Sequence, residues 1–214
     1  MSYPAAHNAG WGRYAPLALA AMAFAVWLAL LWVALQPTPP DWDEAIYSSM
    51  CAWRLPALTD FLQAVTWLGN TKVAAVYIVA TFMGLVAFRR LRLAAVFALG
   101  GILDLINSTA LQAVIGRPRP DQLVHPGTDS FPSGHAFNAV LFLGLMVAGL
   151  VLPKVRDRRL RWGIIGLWMA FVVATGLSRV HLGHHMPTDV LGGFLLGALA
   201  LAFLLWLRTR LGWR

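Results

Sequence analysis

The chain has 214 residues, of which 59% are hydrophobic and only 12% charged, and its mean hydropathy is +0.66. This composition excludes an ordinary soluble domain and predicts a polytopic membrane protein formed by a single domain, 1–214. The lone cysteine, Cys51, excludes an intrachain disulfide framework. The net charge of +8 does not indicate nucleic-acid binding, because the basic residues lie in short loops between apolar runs.

Six apolar runs predict six membrane-spanning helices. Several are shorter than the roughly 20 residues that cross about 30 Å of hydrocarbon, so we expect flanking residues to extend them. We interpret the first run as a helix and not as a signal peptide, because only Arg13 precedes it and no small-residue cleavage site comes before Pro37. The predicted fold class is therefore an all-α integral membrane protein, a six-transmembrane helix bundle. The six runs are 15–36, 73–88, 93–115, 136–152, 163–177 and 190–207.

The basic residues predict how the bundle is oriented. Twelve of the 17 Lys and Arg residues lie in the loops and tails that six spans put on one side of the membrane. The positive-inside rule assigns that side to the cytoplasm. We therefore expect a multi-pass protein of the inner (cytoplasmic) membrane with both termini in the cytoplasm. The polar motifs described below lie on the other side, which faces the periplasm or exterior.

The longest outer loop, 41–70, has a helical pattern. Trp42, Ile46 and Met50 recur every four residues, and apolar residues return at helical spacing after Pro56. This pattern predicts two short amphipathic helices at the membrane interface. Such helices could gate the path of a lipid, but a simple cover for the bundle is the more economical interpretation.

The turn that leads into the sixth span carries His185 and Asp189. Their i,i+4 spacing puts both side chains on one face, where the carboxylate can hold one ring nitrogen and leave the other as a nucleophile. Pro187 suits the first helical turn, and an acidic residue suits the positive end of the helix dipole.

The fourth span begins in a similar way with Ser133, Gly134 and His135. A serine at the N-cap, a glycine that allows close backbone approach and exposed N–H groups together form a cradle for phosphate. Arg119 and Arg179 add forked cationic donors that match phosphoryl oxygens. Because charged groups are costly near hydrocarbon, this cluster predicts a functional site, and its chemistry is that of phosphoryl transfer.

Three blocks of the sequence resemble the signature of the type 2 phosphatidic acid phosphatase family. That family includes membrane lipid-pyrophosphate phosphatases and is related to vanadium haloperoxidases. The resemblance covers about residues 95–205. Its motifs R-P, P-S-G-H and S-R-x5-H-x3-D are met, in that order, by Arg119-Pro120, by 132–135, and by Ser178, Arg179, His185 and Asp189.

The resemblance implies a lipid phosphatase that needs no metal and no cofactor. His185 would attack phosphorus to give a phosphohistidine, Asp189 would orient it, and His135 would protonate the leaving oxygen. The groups that would stabilise the phosphoryl oxygens are Arg119, Arg179, Ser133 and the N–H of Gly134. The implied partners are membrane lipids and a lipid substrate with a phosphomonoester or pyrophosphate. Leading candidates are undecaprenyl pyrophosphate, phosphatidylglycerol phosphate and phosphatidic acid.

One position departs from the family pattern. The first motif starts with a lysine seven residues before its arginine, and that position is Gln112. Losing a charge-assisted contact to phosphate costs about 1.5–3 kcal/mol, unless Arg117 or Lys72 stands in. We therefore count Gln112 and Arg117 among the candidate phosphate-binding residues.

Three other interpretations remain open at this point. A lipid phosphotransferase would pass the phosphate to a second lipid, and a lipid-binding protein would keep a degenerate site without activity. The H-x2-H-H-x3-D residues His181, His184, His185 and Asp189 could also bind zinc. The zinc interpretation is disfavoured, because Arg179 and the P-S-G-H block have no role around a cation.

Overall fold

The computed structural model describes residues 11–53, 55–120 and 127–212, and every regular element within these ranges is helical. Six stretches of the described residues are long and apolar enough to cross a membrane, which confirms the predicted fold class. The helices are α1 Trp11–Ala34, α2 Asp41–Ala52, α3 Pro56–Leu68, α4 Thr71–Ala87, α5 Leu91–Leu105, α6 Gln112–Ile115, α7 Gly134–Met146, α8 Arg158–His181 and α9 Pro187–Arg210.

The spans extend beyond most of the apolar runs, as their short length required. The fifth run, 163–177, becomes the 24-residue helix α8, and the sixth, 190–207, becomes the 24-residue α9. A π-helical turn, Ile106–Leu111, joins α5 to α6 and continues the third span. The second span differs in one respect: α3 and α4 form one apolar stretch, Pro56–Ala87, with a break in the helix at Gly69 and Asn70.

Helix α7 lies at the centre of the bundle, with nine of its 13 residues buried. It packs against α9, α8, α5 and α4. The largest side chains of this core come from α5, α7 and α9, and the fully buried ones are Phe97, Phe137, Leu141, Phe142, Leu145 and Leu204. The central position of α7 fixes where His135, in its first turn, can lie.

Two glycines in the first half of α9 allow its backbone to approach the first turn of α7 closely. A Cβ atom at Gly193 would lie 2.5 Å from the backbone oxygen of Ser133, and one at Gly197 would lie 2.8 Å from that of Phe137. Small residues at such contacts let helix backbones meet within a membrane. The backbone N–H of Ser133 donates a hydrogen bond of 2.9 Å to the carbonyl of Asp189. The two turns that carry the predicted motifs are therefore held together.

The predicted short helices of the first outer loop are confirmed as α2 and α3. Helix α3 packs against α8, and α2 packs against α8 and α9. Each puts one polar side chain inside the bundle: Asp43 from α2 is fully buried, and Thr66 from α3 is 5% exposed. The two helices therefore do more than cover the bundle, because they supply buried polar partners to the other helices.

Basic residues lie at the ends of the spans that are remote from the motif turns at the starts of α7 and α9. A cavity of about 690 Å³ is lined by Arg89, Arg90, Arg92, Lys154 and Arg208. Helix α9 begins at Pro187 and ends at Arg210, and its 24 residues extend about 36 Å at 1.5 Å per residue. The motif turns and the basic loops thus lie about one membrane thickness apart.

We expect the Gly193→Ala variant to unfold at a lower temperature than the wild type. Its methyl group would meet backbone and the Cβ atom of Ala136, and overpacking of this kind costs about 1–3 kcal/mol. The matched control is Gly166→Ala in α8, where no atom lies within 4 Å of the added Cβ. Thermal unfolding of both variants in detergent checks this, and equal melting temperatures would contradict the close contact.

Candidate active site

A cavity of about 370 Å³ opens beside the first turn of α7. Its polar lining includes two arginines and two histidines, Arg119, Arg179, His135 and His184, together with Thr66 of α3. Cationic side chains that converge on one cavity raise the local concentration of anions. The cavity is therefore suited to an anionic group such as a phosphate.

His185 lies in the turn between α8 and α9, and the backbone of that turn explains its spacing from Arg179. The N–H groups of His184 and His185 both donate to the carbonyl of Arg179, at 3.0 and 3.2 Å. Gly183 has a φ of 81°, the left-handed conformation in which a glycine commonly ends a helix. The chain therefore folds back on the last turn of α8 and brings His185 beside Arg179.

The contacts of His185 define the state of its ring. Nε2 lies 3.1 Å from Nη1 of Arg119, and a guanidinium can only donate, so Nε2 is the acceptor. The ring proton is then on Nδ1, which lies 3.5 Å from Oδ2 of Asp189. The predicted i,i+4 pair is present, at ion-pair distance and longer than a typical hydrogen bond. This tautomer puts the lone pair on Nε2, where it faces Arg119, and Nε2 can act as a nucleophile once that guanidinium turns to a bound phosphate.

Asp189 is fully buried and has partners at both oxygens. Oδ1 accepts a hydrogen bond of 2.6 Å from Nη1 of Arg117. Oδ2 accepts one of 2.9 Å from the backbone N–H of Met186. Pro187 is the first residue of α9, as the sequence predicted. The carboxylate therefore caps the helix and faces His185 at the same time.

Ser133 lies at the N-cap of α7, as predicted, but its side chain makes no capping hydrogen bond. The Oγ atom is fully buried and has no hydrogen-bond partner among the residues that the structure describes. Gly134 follows it with open space, since no atom lies within 4 Å of the position that a Cβ would take. A buried hydroxyl and an accessible backbone next to His135 fit the predicted cradle for an anion.

Arg179 is held by a residue that the sequence analysis did not identify. Its Nη1 donates a hydrogen bond of 2.8 Å to Oγ1 of Thr66, and both side chains are buried. Thr66 lies on the inward face of α3 beside Leu62 and Val65. Its only signal in the sequence is a polar residue within an apolar stripe, which is too weak to reveal the contact.

Four of the predicted phosphate-binding residues are not among those that line the cavity: Ser133, Gly134, Gln112 and Arg117. Of these, Gln112 and Arg117 contact other parts of the protein. Nε2 of Gln112 donates a hydrogen bond of 2.7 Å to the carbonyl of Pro132. Arg117 is 9% exposed and donates to the carboxylates of Asp189 and Asp43. Both residues therefore stabilise the segments that carry Ser133 and Asp189. The side chain of Lys72, the other substitute for the missing cation, is outside the described residues.

The histidines of the zinc interpretation have separate partners. Nε2 of His181 lies 3.0 Å from Oγ1 of Thr59, whereas His184 lines the cavity. No three His, Cys, Asp or Glu side chains come together to hold a metal ion in ranges 11–53, 55–120 and 127–212. The residues at hand form a set of donors for an anion.

Comparison with known proteins identifies the family. Residues 89–213 match the PAP2 superfamily. The chain belongs to this superfamily. It is 35% identical over 162 residues to phosphatidylglycerophosphatase B of Bacillus subtilis (strain 168), which covers 73% of this chain and 78% of that protein. It is 32% identical over 111 residues to the undecaprenyl-diphosphatase BcrC of the same organism, with coverage of 49% and 51%.

A solved structure shares the fold of this superfamily member. The crystal structure of a transmembrane PAP2 type phosphatidylglycerolphosphate phosphatase from Bacillus subtilis aligns with a TM-score of 0.76 and 31% identity. The alignment covers 89% of this chain and 96% of that one. The resemblance inferred from the three motifs is thus confirmed for family and for fold.

We expect Thr66→Val to lower kcat/KM for phosphate-ester hydrolysis about tenfold, which corresponds to ~1.4 kcal/mol. The variant keeps a β-branched side chain of similar shape but removes the acceptor for Nη1 of Arg179. Thr66→Ser keeps the hydroxyl and should stay close to the wild type. Steady-state kinetics of the three proteins check this. An equal loss in both variants would mean that the packing of α3 matters and the hydroxyl does not.

Proposed function

We propose that this PAP2 superfamily protein hydrolyses a phosphomonoester or pyrophosphate of a membrane lipid through a phosphohistidine on His185. The observation that carries the proposal is the state of that ring, with Nε2 as acceptor toward Arg119 and Nδ1 toward Asp189. The relatives named above act, by their names, on phosphatidylglycerophosphate and on undecaprenyl diphosphate. These two lipids and phosphatidic acid are the substrates to test.

The proposed reaction has two steps at the same phosphorus. In the first, the lone pair on Nε2 of His185 forms a bond to phosphorus while the bond to the lipid oxygen breaks, and His135 gives that oxygen a proton. In the second, the oxygen of water forms a bond to phosphorus while the P–Nε2 bond breaks and returns the lone pair to His185, His135 takes a proton from the water, and phosphate is released. Asp189 stabilises the positive charge that develops on the ring through its contact with Nδ1.

The phosphoryl oxygens would be stabilised by groups that are already in position. Arg119 and Arg179 line the cavity, and both are charge-assisted donors. Ser133 Oγ and the N–H of Gly134 would add donors from the first turn of α7. Preorganised donors of this kind are usually the largest catalytic contribution. Because these donors are cationic or neutral, we propose that the reaction needs no metal ion.

An apolar groove next to the cavity favours a lipid over a soluble phosphate ester. The groove has a volume of about 480 Å³ and is lined by Leu68, Tyr77, Leu143, Trp168 and other apolar residues. Leu68 directly follows Trp67, which lines the cavity. A phosphate in the cavity therefore lies close to a surface that can accept a hydrocarbon tail.

A phosphate-release assay over the three lipids in detergent micelles, with EDTA present, tests the proposal. We expect turnover by the wild type, none by a folded His185→Ala variant, and acid-labile, base-stable phosphate on the wild-type chain during turnover. Release at a near wild-type rate by His185→Ala would show that another group attacks phosphorus. Phosphate recovered on a second lipid would identify a phosphotransferase, and activity lost with EDTA would contradict metal independence.

We also propose that both termini face the cytoplasm and that the cavity faces the periplasm or exterior of an inner-membrane protein. The support is the separation of the basic loops from the motif turns at opposite ends of the spans. Reporter fusions at the C-terminus of the full chain and after Asp129 check the orientation. We expect a cytoplasmic signal from the first and an external signal from the second. An external C-terminus would reverse the assignment.

A further inference from the structure

A buried ionic network lies behind Asp189 and joins it to the first outer loop. Nη1 of Arg117 donates to Oδ1 of Asp189 at 2.6 Å, and Nη2 donates to Oδ2 of Asp43 at 3.2 Å. Both carboxylates are fully buried, and the arginine is 9% exposed. Asp43 lies outside residues 89–213, the part of the chain that matches the superfamily. No motif of the sequence includes it.

Asp43 also holds the first turn of α9 through Thr188. The backbone N–H of Thr188 donates to Oδ1 of Asp43 at 3.0 Å, and its Oγ1 donates to Oδ2 at 2.6 Å. The same Oγ1 accepts a hydrogen bond of 2.6 Å from Nη1 of Arg117. The hydroxyl of Thr188 therefore accepts one hydrogen bond and donates another, as a hydroxyl group can. Asp43 thus contacts both Arg117, which bonds Asp189, and Thr188, which precedes Asp189 in the chain.

The formal charges of Asp43, Arg117 and Asp189 do not cancel. The network has a net negative formal charge, and it lies next to His185. Asp189 and Arg117 alone would form a neutral pair, because the guanidinium is only 2.6 Å from the carboxylate. Asp43 brings a second negative charge to the same guanidinium. Two carboxylates around one arginine leave a net charge of −1, which is strongly felt at low dielectric. The nearest group able to use this charge is the imidazole paired with Asp189.

We propose that Asp43 is a positioning residue for His185. It fixes Arg117 and Thr188, and by offsetting the charge of Arg117 it keeps Asp189 aligned and effectively negative toward Nδ1. The ring becomes more basic, and the positive charge that it acquires during attack on phosphorus is stabilised. This role rests on the proposed function of His185 as the nucleophile.

The primary test compares Asp43→Asn with Asp41→Asn. Both changes remove one negative charge from the first turn of α2, but Asp41 is exposed and Asp43 is buried in the network. With p-nitrophenyl phosphate as the probe, we expect Asp43→Asn to lower kcat about 10- to 100-fold, as loss of an outer partner of a preorganised site does. KM should stay within about threefold of the wild-type value. Asp41→Asn should resemble the wild type.

A second measurement follows the charge on His185 itself. Its ring contacts Asp189 and Arg119, and it lies with Arg119, Arg179 and His184 among the charged groups around His135. All of these groups stay unchanged in the variant. Loss of the negative charge of Asp43 should lower the pKa of His185, because the protonated ring loses a stabilising negative charge behind Asp189. NMR titration of histidine-labelled protein, assigned with His185→Ala, reports this shift, and the acidic limb of the kcat/KM profile should move to lower pH. Asp43→Glu keeps the charge and should keep the wild-type titration.

Further variants cover the case in which Asp43→Asn does not fold. Thr188→Val removes the hydroxyl that bonds both Asp43 and Arg117 and should lower kcat, whereas Thr188→Ser keeps the hydroxyl and should retain kcat. The proposal is overturned if Asp43→Asn matches Asp41→Asn in kcat and titration, if only KM rises, or if Thr188→Val and Thr188→Ser behave alike. A wild-type protein that releases no phosphate from p-nitrophenyl phosphate or from any of the three lipids would contradict the proposed function instead. The NMR titration would still test the effect of Asp43 on His185.

Discussion

The fully buried carboxylate of Asp189 is the group on which the arrangement of the site depends. An unpaired charge next to hydrocarbon is strongly unfavourable, so its oxygens must find donors within the protein. The donors come from two segments: the backbone N–H of Met186 in the turn before α9, and Arg117 after α6. His185, in the same turn as Met186, faces the carboxylate at ion-pair distance. The need to satisfy one charge thus brings together segments that are 72 residues apart in the chain.

Close packing of α7 on α9 then adds the second half of the site. Because Gly193 and Gly197 have no side chains, the backbone of α7 approaches α9 until the N–H of Ser133 bonds the carbonyl of Asp189. Two helix N-termini consequently lie side by side at one end of the bundle. Each presents the positive end of its dipole, which adds to the charge of the arginines and favours an anion.

The features predicted correctly from the sequence are those that depend on residues close together in the chain. Apolar runs gave the six spans, and the i,i+4 spacing gave the pair of His185 and Asp189, because both patterns repeat within a few residues. The contacts of Asp43 and Thr66 could not be predicted in this way, because their partners lie 145 and 113 residues away in the chain. Three acidic residues share the first turn of α2, and nothing in the sequence distinguishes the one that is buried.

The side-chain directions of Gln112 and Arg117 could not be predicted from the sequence either. The family pattern made Gln112 a candidate phosphate-binding residue and Arg117 a candidate substitute for the missing lysine, but spacing does not determine the direction of a side chain. In the structure Gln112 bonds the carbonyl of Pro132, so it fixes the segment that precedes Ser133. Arg117 bonds two carboxylates, which offer it stronger partners than a cavity that already holds two other arginines.

Helix α3 connects the polar and apolar parts of the site. Thr66 holds Arg179 in the cavity, Trp67 lines the cavity, and Leu68 lines the neighbouring apolar groove. Three consecutive residues therefore contact the two surfaces that a lipid phosphate has to occupy together. Because the partner of Arg179 and a wall of the groove share this one helical turn, the position of Arg179, the proposed phosphate-binding arginine, is coupled to the shape of the groove. A soluble phosphatase has no need of such a coupling, whereas an enzyme that takes its substrate from a membrane does.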